Sequence, residues 1–279
     1  MSTAIGRALL IGGCAAVLGL LVVPIIVIIP LSFSDASYLQ FPPTGLSWRW
    51  YRNFFERPDW IEATLLSAQV ALGAAAIATP LGTLAAFSVV RGRYPGKQLA
   101  QAFVVSPMVV PLIIVAIALY FSFAKLRLTG TASSLVLAHA VLAIPKVFLI
   151  MTAALRGIDA RLELAAMSLG ASRSRAVLSV TLPLAKTALA TSAILAFLTS
   201  FDEVVVAIFI SGSTAVTLPK RMWDGIRLEY DPTITAVASL LITATVMTFV
   251  AVAALRGRQP AAVAVASGGA APARAGSRA

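Results

Sequence analysis

The chain has 279 residues, 59% of them hydrophobic and only 12% charged, and its mean hydropathy is +0.92. An average soluble domain is about half apolar and about a quarter charged, so a water-surrounded globule cannot hide this apolar surface and the natural solvent is a bilayer. The net charge of +11 alone would suit nucleic acid, but in a membrane protein the placement of charge outweighs its sum, and the single Cys14 excludes a disulfide framework within the chain.

Ala8 to Leu31 is an apolar run interrupted by Pro24 and Pro30. It is longer than a signal-peptide core and has no convincing cleavage site, so it is expected to remain as a first span. Ser32 to Trp60 is polar and aromatic, and its Leu46-Ser-Trp-Arg-Trp-Tyr-Arg-Asn-Phe-Phe55 stretch has the Trp, Tyr and Arg of an amphipathic segment at a membrane interface. Ile61 to Val90 is the second expected span, rich in Ala and Gly, which allow close helix packing. A basic turn from Arg91 to Lys97 leads to a third span, Leu99 to Phe123, which Pro107 and Pro111 should kink. Leu135 to Leu155 is the fourth, Lys186 to Gly212 the fifth and Thr233 to Leu255 the sixth, with Ser213 to Pro232 a mixed-charge loop. These elements make an all-α, polytopic membrane protein, with one transmembrane domain over 1–255. The segment 256–279, of Ala, Gly, Pro and Arg without periodicity, is expected to be a disordered basic tail.

Between the fourth and fifth spans lies a segment, 156–183, that does not span. Leu162, Ala165, Ala166 and Leu169 recur at i, i+3, i+4 and i+7, which predicts one apolar stripe on a short helix. Asp159 suits its N-cap, Glu163 its positive first turn and Gly170 its C-terminal stop. Ser172 can cap a second helix carrying Ala176, Val177 and Val180, ending before Pro183. The pattern predicts a helix–turn–helix knob at a membrane surface on which something docks.

Orientation follows from Lys and Arg. With the N-terminus inside, the inner segments hold Arg7, Arg91, Arg93, Lys97, Arg156, Arg161, Arg173, Arg175, Lys186, Arg256, Arg258, Arg274 and Arg278, opposed by Asp159 and Glu163. The outer segments mix Arg49, Arg52, Arg57, Lys125, Arg127, Lys220, Arg221 and Arg227 with carboxylates in near balance. The positive-inside rule then predicts that both termini and the knob are cytoplasmic, and the basic excess reports topology with no nucleic-acid partner.

The knob resembles the EAA loop of ABC importer permeases: Glu-Ala-Ala, three residues, Gly, nine residues, an aliphatic residue, any residue, then Leu-Pro. Ala165, Ala166, Gly170, Val180, Leu182 and Pro183 fall on that spacing; Leu164 takes the Glu position and Glu163 sits one residue early. The interfacial Trp-Tyr-Arg-Asn-Phe segment, Ser106-Pro-Met-Val-Val-Pro111, Ser200 to Gly212 and Leu218 to Ile226 are similar to the second permease of spermidine/putrescine-type systems.

The resemblance implies the type I ABC importer permease architecture, six transmembrane helices with a cytoplasmic helix–turn–helix coupling loop, in the bacterial inner (plasma) membrane. It implies an ABC ATPase dimer, a second permease in a heterodimer and an extracytoplasmic solute-binding protein as partners, with Glu163, Ala165, Ala166, Gly170, Val180, Leu182 and Pro183 at the ATPase contact. It also implies a polyamine such as spermidine or putrescine as solute; permeases for an organic anion, an amino acid or iron share much of the pattern. The chain has no Gly-x-x-x-x-Gly-Lys-Ser/Thr phosphate loop, so ATP is expected to be hydrolysed by the partner, with no cofactor on this chain. No nucleophile–base pair or metal cluster points to an enzyme.

Asp202 and Glu203 lie about 24 Å into the fifth span at helical rise, where carboxylates are expensive unless they face water, a partner or a cation. They are candidates for the solute path. So is Lys146, near the middle of the fourth span, which would repel a polyamine and keeps anionic solutes open. Trp223 and Tyr230 could offer aromatic faces to a cation. His139 is expected to be a packing residue. The alternative, a secondary transporter, would need a coupling-ion site and paired interrupted helices, and neither is visible.

Overall fold

The computed structural model describes residues 2–256, so the expected tail, 256–279, lies outside the described residues apart from Arg256. The chain is helical along most of the described length, and the described residues fall into two compact units. One holds the chain up to Tyr51 and from Pro232 on; the other is Arg52–Asp231.

In the first unit, α1 (Ser2–Ser32) carries Pro24 and Pro30 within the helix. The most apolar stretch within Leu9–Ser32 has a mean hydropathy of 2.9 and is not buried inside the protein, as suits a helix solvated by lipid, while Ser32 at its end is buried. It packs on α13 (Thr233–Arg256). Tyr51, in the first turn of α2 (Arg49–Glu56), joins the two: its hydroxyl lies 2.7 Å from Ser32 Oγ and 2.6 Å from Ser239 Oγ. Phe33, Trp48 and Tyr51 pack together with ring centroids 4.9–5.3 Å apart.

The second unit is organised on α3 (Pro58–Arg91), α6 (Ala132–Arg156) and α10 (Lys186–Phe201), which pack on one another. Pro58 and Asp59 suit the first turn of α3. Ala63, Ser67, Val70, Ala74, Ala78, Gly82, Ala86 and Val89 form its buried stripe at three- and four-residue spacing. At Gly82 a Cβ would lie 2.7 Å from Val147 Cβ and 3.0 Å from the Ile144 carbonyl oxygen, so only glycine permits this helix approach. Phe148, Met151 and Leu155 of α6 fill the core beside it.

Three expected elements differ. The third span is not merely kinked: α4 (Lys97–Val109) and α5 (Leu112–Lys125) meet at 102°. Val110, directly before Pro111, is extended at φ −74°, ψ 134°, because the proline ring disfavours the helical region for the residue it follows. The fifth span does not run unbroken to Gly212: α10 stops at Phe201, and α11 (Val205–Ile210) begins beyond a short break. The Glu203 carboxylate accepts from Val206 N at 3.0 Å, satisfying a free amide of the new helix start. The expected loop 213–232 contains α12 (Leu218–Asp224) and a π-helical turn, Gly225–Glu229. The six expected apolar segments are therefore helices α1, α3, the bent pair α4–α5, α6, the interrupted pair α10–α11, and α13.

Candidate functional site

The knob folds as two arms. The first is α7 (Arg161–Ser168), and the second is α8 (Arg173–Ala176), a π-helical stretch Val177–Thr181 and α9 (Leu182–Leu184). Asp159 supports the start of α7 by accepting from Arg161 N at 2.9 Å. Gly170 ends it at φ +93°, with Gly170 N bonded to the Met167 carbonyl at 3.0 Å and Ala171 N to that of Ala166 at 3.1 Å, the Schellman pattern that favours glycine at this position. A Cβ at Gly170 would meet nothing within 4 Å, so the requirement there is conformational. Ser172 caps the second arm through Arg175 N at 3.3 Å, as its spacing predicts. That arm does not end before Pro183. The Leu182 amide reaches back to the Val177 carbonyl in the π turn, and the helix continues through the proline to Leu184. The wider turn adjusts the bonding pattern just ahead of a residue with no amide hydrogen to donate. A 77° bend then separates this arm from α10.

The apolar stripe of α7 faces outward. Leu162, Leu164, Ala165 and Met167 are exposed, and Leu169 is 91% exposed at the tip. Glu163 is the buried residue of α7, at 9% exposure. Its Oε1 accepts from Arg91 Nε at 3.0 Å and from Thr181 Oγ1 at 2.7 Å, while Arg91 Nη2 donates to the Ile158 carbonyl at 2.8 Å. One carboxylate thus joins both arms of the knob to the last residue of α3. Sequence reasoning assigned Glu163 to the first-turn charge and to the ATPase contact, and missed Arg91 and Thr181; the structure turns its carboxylate inward, away from the exposed apolar row that faces a partner. The available signal was the one-residue shift of the glutamate, since one residue turns a helical side chain by about 100°. Of the other expected contact residues, Ala166, Val180 and Leu182 are half-buried and Pro183 is exposed. A groove of about 1020 Å³ opens between α3 and the second arm, walled by Leu84, Phe87, Leu178 and Leu182 with Arg91 and Glu163 at its edge.

The candidate path residues converge only in part. Lys146 Nζ donates to Thr199 Oγ1 at 2.9 Å, which brings it to the end of α10 three residues before Asp202. Asp202 is exposed just past Phe201, Glu203 is half-buried and occupied in starting α11, and Phe197 stacks on Phe201 at 5.6 Å. His139 is buried, with Nδ1 2.8 Å from Ser200 Oγ and Nε2 without a hydrogen-bond partner among the described residues. Trp223 and Tyr230 belong instead to the α12 segment. The Arg227 guanidinium already covers Trp223 at 5.3 Å, and Tyr230 is exposed in the left-handed region at φ +52°.

The α12 segment is fastened to the start of α3 by an ion network that the sequence did not reveal. Arg221 donates to Asp59 at 2.8 Å and to Glu229 at 2.9 Å, and Arg57 donates to Asp59 at 2.7 Å and to Asp231 at 2.9 Å. The Arg221 guanidinium also lies 4.7 Å from the centroid of the buried Trp60 ring. Burial opposes its charge, but the hydrogen bonds to Glu229 and Asp59 outweigh it and hold the Arg221 pKa above its ordinary value.

Comparison with known proteins agrees with this architecture. Residues 78–259 match the family of binding-protein-dependent transport system inner membrane components. The spermidine/putrescine transport system permease protein PotC of Haemophilus influenzae is 33% identical over 222 residues, covering 80% of this chain and 86% of the relative. The putrescine transport system permease protein PotI of Escherichia coli is 32% identical over 228 residues, 79% of this chain and 81% of the relative. The fold also matches a bacterial ABC transporter involved in the import of the acidic polysaccharide alginate, with a TM-score of 0.67 at 16% identity over 92% of this chain and 96% of that one. With its apolar helices, its helical knob and no strands among the described residues, the chain belongs to the family of binding-protein-dependent transport system inner membrane components, and is a multi-pass transmembrane subunit of an ABC importer.

Proposed function

We propose that this subunit forms half of the translocation path for a polyamine of the spermidine and putrescine class, a second permease subunit forming the other half. The knob, 156–183, docks on an ABC ATPase dimer in the cytoplasm, and both termini lie on that side. An extracytoplasmic solute-binding protein delivers the solute. The partner ATPase binds and hydrolyses ATP, and this chain holds no cofactor.

The coupling role is carried by one observation, the outward row Leu162, Ala165 and Leu169 ending at the Gly170 turn. Apolar side chains grouped on a surface helix of a polar loop mark a surface that a partner covers. The polyamine is supported by the similarity to PotC and PotI and by exposed Asp202 beside stacked Phe197 and Phe201. A carboxylate next to aromatic faces suits a flexible organic cation. One observation favours an organic anion as a second solute class: the Lys146 ammonium in the middle of α6.

The test is uptake into vesicles holding the complete complex. Labelled spermidine or putrescine should enter only with ATP and the binding protein, and Asp202→Asn should raise the half-saturating concentration at least fivefold. Competition by organic anions and not by polyamines would assign the path to anions. Gly170→Asp should abolish uptake and ATPase association while membrane insertion stays intact; normal uptake in that variant would exclude the docking role.

A further inference from the structure

We propose that Arg91, Glu163 and Thr181 form a strut that makes the knob and the C-terminal end of α3 move as one body, so that a displacement of the knob is delivered to α3. This rests on the importer reading above and assigns a transmission residue inside the subunit, where the sequence pattern points to a contact between subunits.

Helix α7 offers little apolar surface to the body. Its leucines face outward, Ala166 is only half-buried and its one buried side chain is a carboxylate, so its attachment depends largely on what that carboxylate holds. The Glu163 carboxylate holds Thr181 of the second arm and Arg91 of α3, and the same guanidinium holds the Ile158 carbonyl in the turn entering the knob. Three separate stretches of chain therefore meet at one ion pair whose side chains are only 14% and 11% exposed.

The register explains why the carboxylate is inside. Leu164, the next residue, is 57% exposed, and one residue turns a helical side chain by about 100°, so a glutamate at 163 points into the joint where one at 164 would point outward. The outward face becomes apolar, and the charge becomes internal. A planar guanidinium is required because two of its nitrogens donate in different directions, to a carboxylate and to a carbonyl, which a lysine ammonium matches poorly. Helix α3 is a suitable lever. Its 34 residues span about 50 Å at helical rise, and its far end carries Asp59, which is bonded to Arg221 of the α12 segment.

Glu163 and Arg91 are positioning residues, and the experiment must separate transmission from docking. In vesicles holding the complete complex, Glu163→Gln should leave the ATPase bound and its hydrolysis within about twofold, yet reduce uptake at least tenfold. Arg91→Lys should show the same uncoupling to a lesser degree. The charge swap Arg91→Glu with Glu163→Arg restores the ion pair but not the donor to the Ile158 carbonyl. It should therefore recover uptake in part, at least fivefold over either single change and still below the parent. Hydrogen exchange over 161–169 should accelerate in the single variants and slow again in the swap, a signature that needs no transport to be read. Uptake within twofold of the parent in Glu163→Gln, loss of the ATPase in that variant, or a swap no better than the single changes in both uptake and exchange would each overturn the strut. Normal uptake in Gly170→Asp would instead overturn docking while leaving the exchange signature intact.

Discussion

At its N-terminal end α3 is held by five charged side chains, Arg57, Asp59, Arg221, Glu229 and Asp231; at its C-terminal end Arg91 and Glu163 do the equivalent work. In the larger network most members are partly open to water: the Arg57, Asp59 and Glu229 side chains are 36%, 42% and 46% exposed. Water and salt weaken each pair there, and the loss of one contact leaves others standing. In the Arg91–Glu163 pair both partners are largely withdrawn from solvent, and among the described residues Glu163 is the carboxylate that pairs with Arg91. The smaller fastener is thus the more sensitive one, because removing one member of a buried pair strands the other.

That contrast can be broken by mutation. The largest effect is expected for Glu163→Ala, which leaves Arg91 largely buried without its carboxylate, a situation that costs about 3–5 kcal/mol. Because the leucines of α7 face outward, the loss should appear as local opening, with amide exchange in α7 faster by roughly 10²- to 10⁴-fold. Exchange unchanged within threefold would show that the arm is held by something other than the carboxylate. Arg221→Met should cost about 1–3 kcal/mol, since two charge-assisted bonds and the contact over Trp60 go together, while the methionine keeps part of the packing. A fall in melting temperature of the detergent-solubilised chain measures it; no fall would mean that the network is ornamental. Arg57→Ala should cost about 1 kcal/mol or less, and the difference should vanish in high salt. An Arg57 effect equal to that of Glu163 would reverse the ranking.

Much of the second unit was legible. The apolar run 61–90, rich in Ala and Gly, gave α3 and its close packing, while its buried stripe emerged from the structure; the spacing of Leu162, Ala165, Ala166 and Leu169 before Gly170 gave the knob with its turn. Ser172 was identified as a cap because its geometry is local. The broken spans were not foreseen at their true angle. Pro111 was recognised, but whether a proline kinks a helix or divides it depends on what packs against the freed backbone groups, and that is a tertiary matter. Glu203 reads in the sequence as a solute-path candidate near the end of the fifth span, and the structure uses it to begin α11. Arg91 and Thr181 stand 72 and 18 residues from Glu163, too far for any periodicity to link them.

The sequence by itself determined the solvent, the number of apolar segments and the presence of a polar knob with a glycine turn, because hydropathy, helical period and capping are properties of short windows. Tertiary structure decided which way that knob faces. A shift of one residue was visible in the sequence, but its meaning was not: only the arrival of Arg91 from the end of α3 and of Thr181 from the second arm made position 163 the inside of the helix. An amphipathic helix acquires an inside only when other chain segments occupy one of its faces, and here the occupied face is the charged one.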